Sequence, residues 1–330
     1  MPLTPSDASG EPSAAAPHPA SVPLALAIDV GGTKVESALV AADATVLPGT
    51  RHRAPTGAGT SSDGIADAVG RVIDATLAAA PPGAVIAGAG VGCAGPISVE
   101  RGTVSPLNLH AWREFPLAEL VRERSGLDQV VLRLDGLCIL LAELWAGALQ
   151  GCRNAMGMVV STGIGGGLLL EGKLVSGRTG NAGHVGQIQL HTRADDSHGL
   201  DLSVTLEGIA AGPNIVAWAR EHGFTGASGE DLAAAASTGD PLARAAIERS
   251  ARAVGEGIAS VCALVDLEAV AIGGGFSKVS PDYIDLVQAA VDEVAPLSTI
   301  PGVRVLPSAL SGDGPLIGAS GLIHHPHYLP

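Results

Sequence analysis

The sequence predicts an α/β protein built as two similar domains facing a cleft. Three observations carry this reading. Strand-like apolar runs alternate with helical stretches along the chain. A unit of strand, threonine-bearing glycine turn and strand occurs twice, over Ala27–Val40 and Met158–Leu170. The chain has 330 residues, enough for two domains of ordinary size, and 45 of them are glycine.

Residues 1–22 are rich in Pro, Ser and Ala and read as a disordered extension. Leu24–Asp29 (LALAID) reads as a buried strand, Gly31-Gly32 as a turn, and Val35–Val40 as the returning strand. Ser62–Ala80 has the pattern of an amphipathic helix. Ala84–Val91 is a second buried strand ending in the turn Gly92–Gly95. Val130–Leu134 is a third, followed by a helix over Leu137–Leu149. Met158–Leu170 opens the second half as another hairpin, and the chain from Gly208 onward is alanine-rich helix. Val270–Ile272 and Val303–Pro307 are late strands, and Pro315–His324 is a closing helix.

Composition narrows the function. Hydrophobic residues make up 46% of the chain, which allows a sizeable core. The net charge is −14, from 33 acidic against 19 basic residues. That balance argues against nucleic acid or an anionic membrane as partner, since phosphate neutralisation needs clustered Lys and Arg. A small anion held by backbone amides remains allowed. The cysteines, Cys93, Cys138, Cys152 and Cys262, form no C-x-x-C pair, so neither a disulfide scaffold nor a cysteine zinc cluster is expected. This suits a reducing cytoplasm. The first 22 residues lack the basic start and apolar run of a secretory leader, and charges or glycines interrupt every long apolar stretch.

Six motifs bear on chemistry. The first is Asp29-Val30-Gly31-Gly32-Thr33-Lys34. Its glycines allow a close backbone approach to phosphate, Thr33 adds a hydroxyl, Lys34 a charge, and Asp29 a carboxylate able to hold Mg²⁺ through water. An ordinary Gly-Gly hairpin turn accounts for it equally well. The second, Ser161–Gly167 (STGIGGG), holds Thr162, Gly163, Gly165 and Gly166. Each ordered glycine costs up to about 1 kcal/mol in entropy, so approach to a ligand explains this run better than a flexible loop does. The third and fourth, Gly273-Gly274-Gly275 and Gly312-Asp313-Gly314-Pro315, lie between strand and helix, where a nucleotide base or ribose can pass, though such turns are common. The spacing fits neither G-x-G-x-x-G nor G-x-x-x-x-G-K-[ST]. The fifth is Asp135, set between a strand and a helix. It can take a proton from a hydroxyl in phosphoryl transfer, but a plain helix N-cap is the commoner role there. The sixth is Gly180–Gln187 (GNAGHVGQ) with Glu207, whose polar groups suit a polyhydroxyl ligand or a surface loop. His191, Asp195, Asp196 and His198 read as a solvated loop, and His324, His325 and His327 as a tail without a specific role.

Together these segments resemble the ROK family (repressors, open reading frames and sugar kinases). The resemblance runs from about Leu24 to His324, through AIDVGGTKVESALV, GVGCAGPIS, GTVSPLNLHAW, LDGLCILLAE, STGIGGGLLLEGKLVSGRTGNAGHVGQ, LEGIAAGPNI, AIGGGF and GDGPLIGAS. It implies two actin-like (ribonuclease H-like) domains flanking a ligand cleft. The small domain would hold residues 23–134 and take back about 311–330, and the large one 135–310. It implies ATP-dependent, glucokinase-like phosphorylation of a hexose or related sugar, at the hydroxyl on C6. Asp29, Gly31, Gly32, Thr33, Lys34, Thr162, Gly163, Gly165, Gly166, Gly274 and Gly275 would serve ATP with its Mg²⁺. Asn108, Asp135, His184 and Glu207 would hold the sugar, with Asp135 as the general base. Asn181 and Gly183 also match. Family members are often dimers, so a homodimer is one expected arrangement.

The departures are specific. Leu134 stands where the family usually has Asn, so one polar contact to the sugar is lost. The usual Glu-x-Gly-His is His184-Val185-Gly186-Gln187, and Gln187 replaces a zinc-ligating histidine. No cysteine occurs over Ser197–Glu207, so no structural zinc is expected. The resulting reading is an active sugar kinase of altered specificity. The alternatives are a non-catalytic sugar or nucleotide sensor without a DNA-binding domain, and a scaffold.

Overall fold

The structure is a computed structural model that describes residues 23–57, 59–190, 204–294, 302–310 and 312–330. The loop over residues 191–203 and the N-terminal extension therefore lie outside the described residues, and with them the expected disorder and the solvated acidic and histidine loop.

In the first lobe the chain forms β1 (Leu24–Val30), β2 (Lys34–Val40), β3 (His52–Pro55), α1 (Ser62–Ala78) and β4 (Ile86–Cys93). A small ribbon, β5 (Ile97–Ser98) and β6 (Thr103–Val104), precedes α2 (Leu117–Ser125) and β7 (Val130–Leu134). The helix α3 (Asp135–Ala146) leads to β8 (Ala155–Val160), β9 (Ile164–Leu170) and β10 (Lys173–Leu174). A second ribbon, β11 (Gln189–Leu190) and β12 (Val204–Thr205), precedes α4 (Leu206–Ala210), α5 (Gly212–Glu221), α6 (Gly229–Ser237) and α7 (Pro241–Val265). The chain closes with β13 (Ala269–Gly273), α8 (Tyr283–Val294), β14 (Arg304–Pro307) and α9 (Gly314–His324).

The repeat read in the sequence is a repeat of topology. One sheet has the order β3-β2-β1-β4-β7 and the other β10-β9-β8-β13-β14. In each, the first three strands run antiparallel and the last two are added parallel. The parallel steps need crossover helices, which α1, α2, α7 and α8 supply. Central strands buried on both faces read as continuous apolar runs, which is why LALAI and AVAI stand out in the sequence.

Two apolar cores result. Trp112, Leu26 and Ile28 centre one, and Tyr283, Ile258 and Val270 the other. α3 and α9 pack on each other between the sheets. α9 also lies on β1 and β4, and α3 on β8 and β9. Glycines make these crossings backbone-close. A Cβ on Gly318 would land on the Cys138 carbonyl, and one on Gly90 on the Ala319 carbonyl. Gly157 and Gly167 meet the Cα atoms of Leu140 and Leu137 in the same way. At the far end of α3, the buried Glu143 accepts from Ser308 Oγ and from the Ala148 amide at 2.8 Å, which ties α3 to the end of β14.

The histidine tail has a definite place, contrary to expectation. His324 Nε2 lies 3.0 Å from the Val40 carbonyl, and His325 packs edge-on to Trp145. No helix among the described residues is long and apolar enough to cross a membrane.

Candidate active site

A cleft of about 450 Å³ opens where β7 runs into α3 and the β8–β9 turn faces them. Its wall includes Asn108, Asp135, Thr162, Gly163, Gly165, Gly166, His184 and Glu207. Residues distant in sequence thus meet at one surface, as the resemblance implied. A second cleft, of about 480 Å³, adjoins it and shares Ser161 and Thr162. Gly275, Phe276, Lys278 and Arg220 line that second space.

Asp135 opens α3, and the position before it, Leu134, is the N-cap without a side-chain bond. The carboxylate instead accepts the amide of Gly136 at 2.7 Å. Asp135 therefore belongs to the first turn of the helix rather than serving as its N-cap. Burial pushes its pKa up, and the Gly136 amide and His184 pull against that rise. A carboxyl so placed is a stronger base than an exposed aspartate once ionised.

His184 is aimed by its own loop. Nδ1 lies 3.1 Å from the Asn181 carbonyl, which can only accept, so Nδ1 carries the proton in that contact. A neutral ring then offers Nε2 as an acceptor, beside Gly95. Asn181 is in turn bonded twice to the backbone of Ile97, accepting at 2.8 Å and donating at 2.7 Å. The loop of the second lobe is thereby pinned to the ribbon of the first. Glu207 sits in the first turn of α4, and its Oε2 accepts the Ile164 amide at 2.8 Å. That bond holds α4 against the β8–β9 turn.

The glycine run divides its roles. Gly165 has open space where a side chain would be. Gly166 and Gly167 are instead crowded by the protein itself, against Gly136, Gly183 and Leu137. Half of the expected ligand approach is therefore approach of β9 to the head of α3. Gly274 has φ +100° and faces the Val160 carbonyl, a turn only glycine adopts readily.

The first glycine turn stands beside the cleft, with Thr33 exposed to solvent. Asp29, Gly31, Gly32, Thr33 and Lys34 are not in the wall of either cleft. Gly32 backs directly onto the Asn108 side chain, with Nδ2 2.5 Å from where its Cβ would lie. Lys34 pairs with the buried Glu36, which Arg51 and Arg53 also engage. Arg51 extends the network to Asp313 at 2.6 Å, which gives Asp313 an ion-pair role.

Asp29 has its pKa raised to about 7, first by burial and then by Asp135 and Glu36, against the pull of Lys34 and Arg51. The folded value lies above the ordinary 3.8, so this group contributes most to stability at low pH, and that contribution is lost as pH rises through 7. The variant Asp29→Asn should therefore melt several degrees higher than the parent at pH 8, with the gain shrinking toward pH 4. Calorimetric melting without ligands over that range checks this, and an equal gain at both ends would refute it.

Gln187, part of the sixth motif, faces the cleft, and so does Asn214, a placement the sequence reading did not foresee. Gln187 ends a short 3₁₀ turn over Val185–Gln187, and Asn214 Nδ2 donates to the Glu207 carbonyl at 2.9 Å. The position lacking the zinc-ligating histidine is thus a cleft position. Among the described residues, no group of three His, Cys, Asp or Glu side chains could hold a metal ion.

Residues 25–325 match the profile of the ROK family. The chain belongs to the ROK family. It is 33% identical over 267 residues to an N-acetylmannosamine kinase of Escherichia coli O9:H4, a match covering 80% of this chain and 86% of that one. It is 28% identical over 323 residues to a glucokinase of Streptomyces coelicolor, covering 92% and 98%. A solved ROK family glucokinase from Streptomyces griseus, in complex with glucose and AMPPNP, superposes with a TM-score of 0.73 at 29% identity, covering 91% and 99%.

Proposed function

We propose that this ROK protein is an ATP-dependent sugar kinase that phosphorylates the C6 hydroxyl of a hexose or hexose derivative. The observation that carries this is the placing of Asp135. It opens α3 inside a cleft shared with Asn108, His184 and Glu207, directly across from the β8–β9 turn. The relatives named above are kinases of two different sugars, which supports the reaction class and leaves the sugar to this chain's own residues. The matching strand orders support two ribonuclease H-like domains.

The sugar lies against Asn108, His184 and Glu207. Asp135 accepts the proton of the hydroxyl as its oxygen bonds to the γ-phosphorus of ATP, and the bond from that phosphorus to the ADP oxygen breaks. The Thr162–Gly166 turn faces the phosphates, its Ile164 amide held by Glu207, and the adjoining cleft takes the base and ribose. Positioning and charge neutralisation supply most of the rate in such transfers.

Asp29 fits the Mg²⁺ that accompanies ATP. Burial, and after it the charges of Asp135 and Glu36, raise its pKa, and a cation beside it would favour the ionised carboxylate. Mg²⁺ there would neutralise charge on the phosphates.

An ADP-release assay against glucose, mannose, fructose, allose, glucosamine, N-acetylglucosamine and N-acetylmannosamine tests the reading. Turnover on at least one sugar, absent from Asp135→Asn, is expected. ATP binding without turnover on any sugar would favour a sensor. The pH profile adds a second check. Asp135 must be ionised to act, and burial raises its pKa, so kcat/KM should fall with decreasing pH at a midpoint above the ordinary aspartate value of 3.8. A midpoint at or below that value would exclude Asp135 as the titrating base.

A further inference from the structure

Residues 180–184 form a strap between the lobes, and one side chain anchors it. Gly180, at φ +93°, lies against Val99 next to the β5–β6 ribbon of the first lobe. Gly183, at φ +102°, lies against the backbone of Gly166 and Gly167 in β9. His184 ends the strap in the cleft wall. We propose that Asn181 is a positioning residue for the acceptor sugar: it sets the strap so that His184 presents an unprotonated Nε2 to a sugar hydroxyl. This rests on the sugar-kinase reading above.

The pairing of Asn181 with Ile97 needs an amide side chain. Oδ1 accepts the Ile97 N–H at 2.8 Å, and Nδ2 donates to the Ile97 carbonyl at 2.7 Å. This is the exchange that a neighbouring strand residue would make. A carboxylate can only accept, and a hydroxyl is a single atom, so neither replaces both bonds. Nδ2 also lies 3.0 Å from Thr179 Oγ1, a bond within the same loop.

The main-chain carbonyl of Asn181 takes His184 Nδ1 at 3.1 Å. One residue thus grips the first lobe with its side chain and the histidine with its backbone. At the other edge of the ring, Nε2 and Leu134 Cδ2 each lie 2.8 Å from where a Gly95 Cβ would be. The ring therefore stands across the lobe boundary with its Nε2 edge at first-lobe residues. Which nitrogen of a neutral imidazole holds the proton follows from the bond that the other makes. Here Nδ1–H is spent on Asn181, and Nε2 is left to accept.

The test reads the ring and the sugar separately. Nitrogen NMR at about pH 8.5, where an ordinary imidazole is neutral, reports the tautomer. The His184 signal is assigned by its loss in His184→Gln. The parent should carry the proton on Nδ1. Asn181→Ala and Asn181→Asp should show mixed tautomers. Their dissociation constants and KM for glucose and N-acetylmannosamine should rise about 3- to 10-fold, the worth of one oriented hydrogen bond. Their kcat should stay within about 2-fold, since the base and its strand are untouched. Thr179→Val removes only the bond inside the loop and should match the parent in both readouts. A merely structural Asn181 would lower the melting temperature without moving the tautomer. The proposal is wrong if the parent holds the proton on Nε2. It is equally wrong if tautomer and sugar affinity are unchanged in a folded Asn181→Ala, or if Thr179→Val reproduces its effect. Should neither Asn181 variant fold, the parent's tautomer decides. Absence of turnover with every sugar counts against the kinase reading, whereas the tautomer still judges the role of Asn181.

Discussion

Replacing Asp135 by Asn should lower kcat by about 10²- to 10⁴-fold, while the dissociation constant for ATP changes little. The amide side chain would keep the size and the acceptor oxygen that meets the Gly136 amide, so the helix start should survive. What disappears is the proton acceptor and one negative charge. ATP is proposed to sit across the cleft on the Thr162–Gly166 turn and in the adjoining space lined by Gly275 and Phe276. Asp135 lines only the first of these two spaces, which is why binding and turnover separate. Steady-state kinetics with calorimetric titration of ATP gives both numbers. A variant retaining more than a tenth of parental kcat would remove Asp135 from the role of base. A variant that lost ATP binding to the same extent as turnover would point to a structural role instead.

Gly318→Ala should destabilise the protein by about 3 kcal/mol or more and lower its melting temperature by roughly 4 °C or more. The added methyl would fall on the Cys138 carbonyl, inside the crossing of α3 and α9. Neither partner can yield locally. The far face of α3 is pressed on Gly157 and Gly167, and α9 is pressed on Gly90. Relief therefore requires the helices to part, and α3 begins with Asp135. Activity should fall more than the loss of folded protein explains, because the base moves with its helix. Gly302→Ala is the control. Open space surrounds Gly302, and a change within about 0.5 kcal/mol is expected there. Equal melting temperatures for the two variants would refute the close crossing.

Both predictions concern α3, and they show where sequence reading succeeds. Asp135 stood out because a carboxylate directly after an apolar strand and before a helix is a local pattern. The paired hairpins stood out for the same reason, since strand, glycine turn and strand are written in consecutive residues. The cleft membership of Asn108, His184 and Glu207 came from the family resemblance. Asn214 was not foreseen in the cleft, because its place there depends on a helix folded against the β8–β9 turn.

By itself the sequence determined the element order and the twofold repeat, because periodicity and turn chemistry act over a few neighbouring residues, while the family came from the resemblance of its motifs. Only the tertiary structure decided what each polar and glycine position is for. Lys34 reads as a phosphate-binding cation, and the fold adds the buried Glu36 beside it with Arg51 and Arg53. Gly167 reads as a ligand contact until the head of α3 is found pressed on it, whereas Gly166 both meets α3 and lines the cleft. Asp29 reads as a carboxylate able to hold Mg²⁺, and the fold adds the burial and neighbouring carboxylates that raise its pKa to about 7. Charge pairing, close approach and desolvation are all set by groups far away in sequence, and folding is what brings them together.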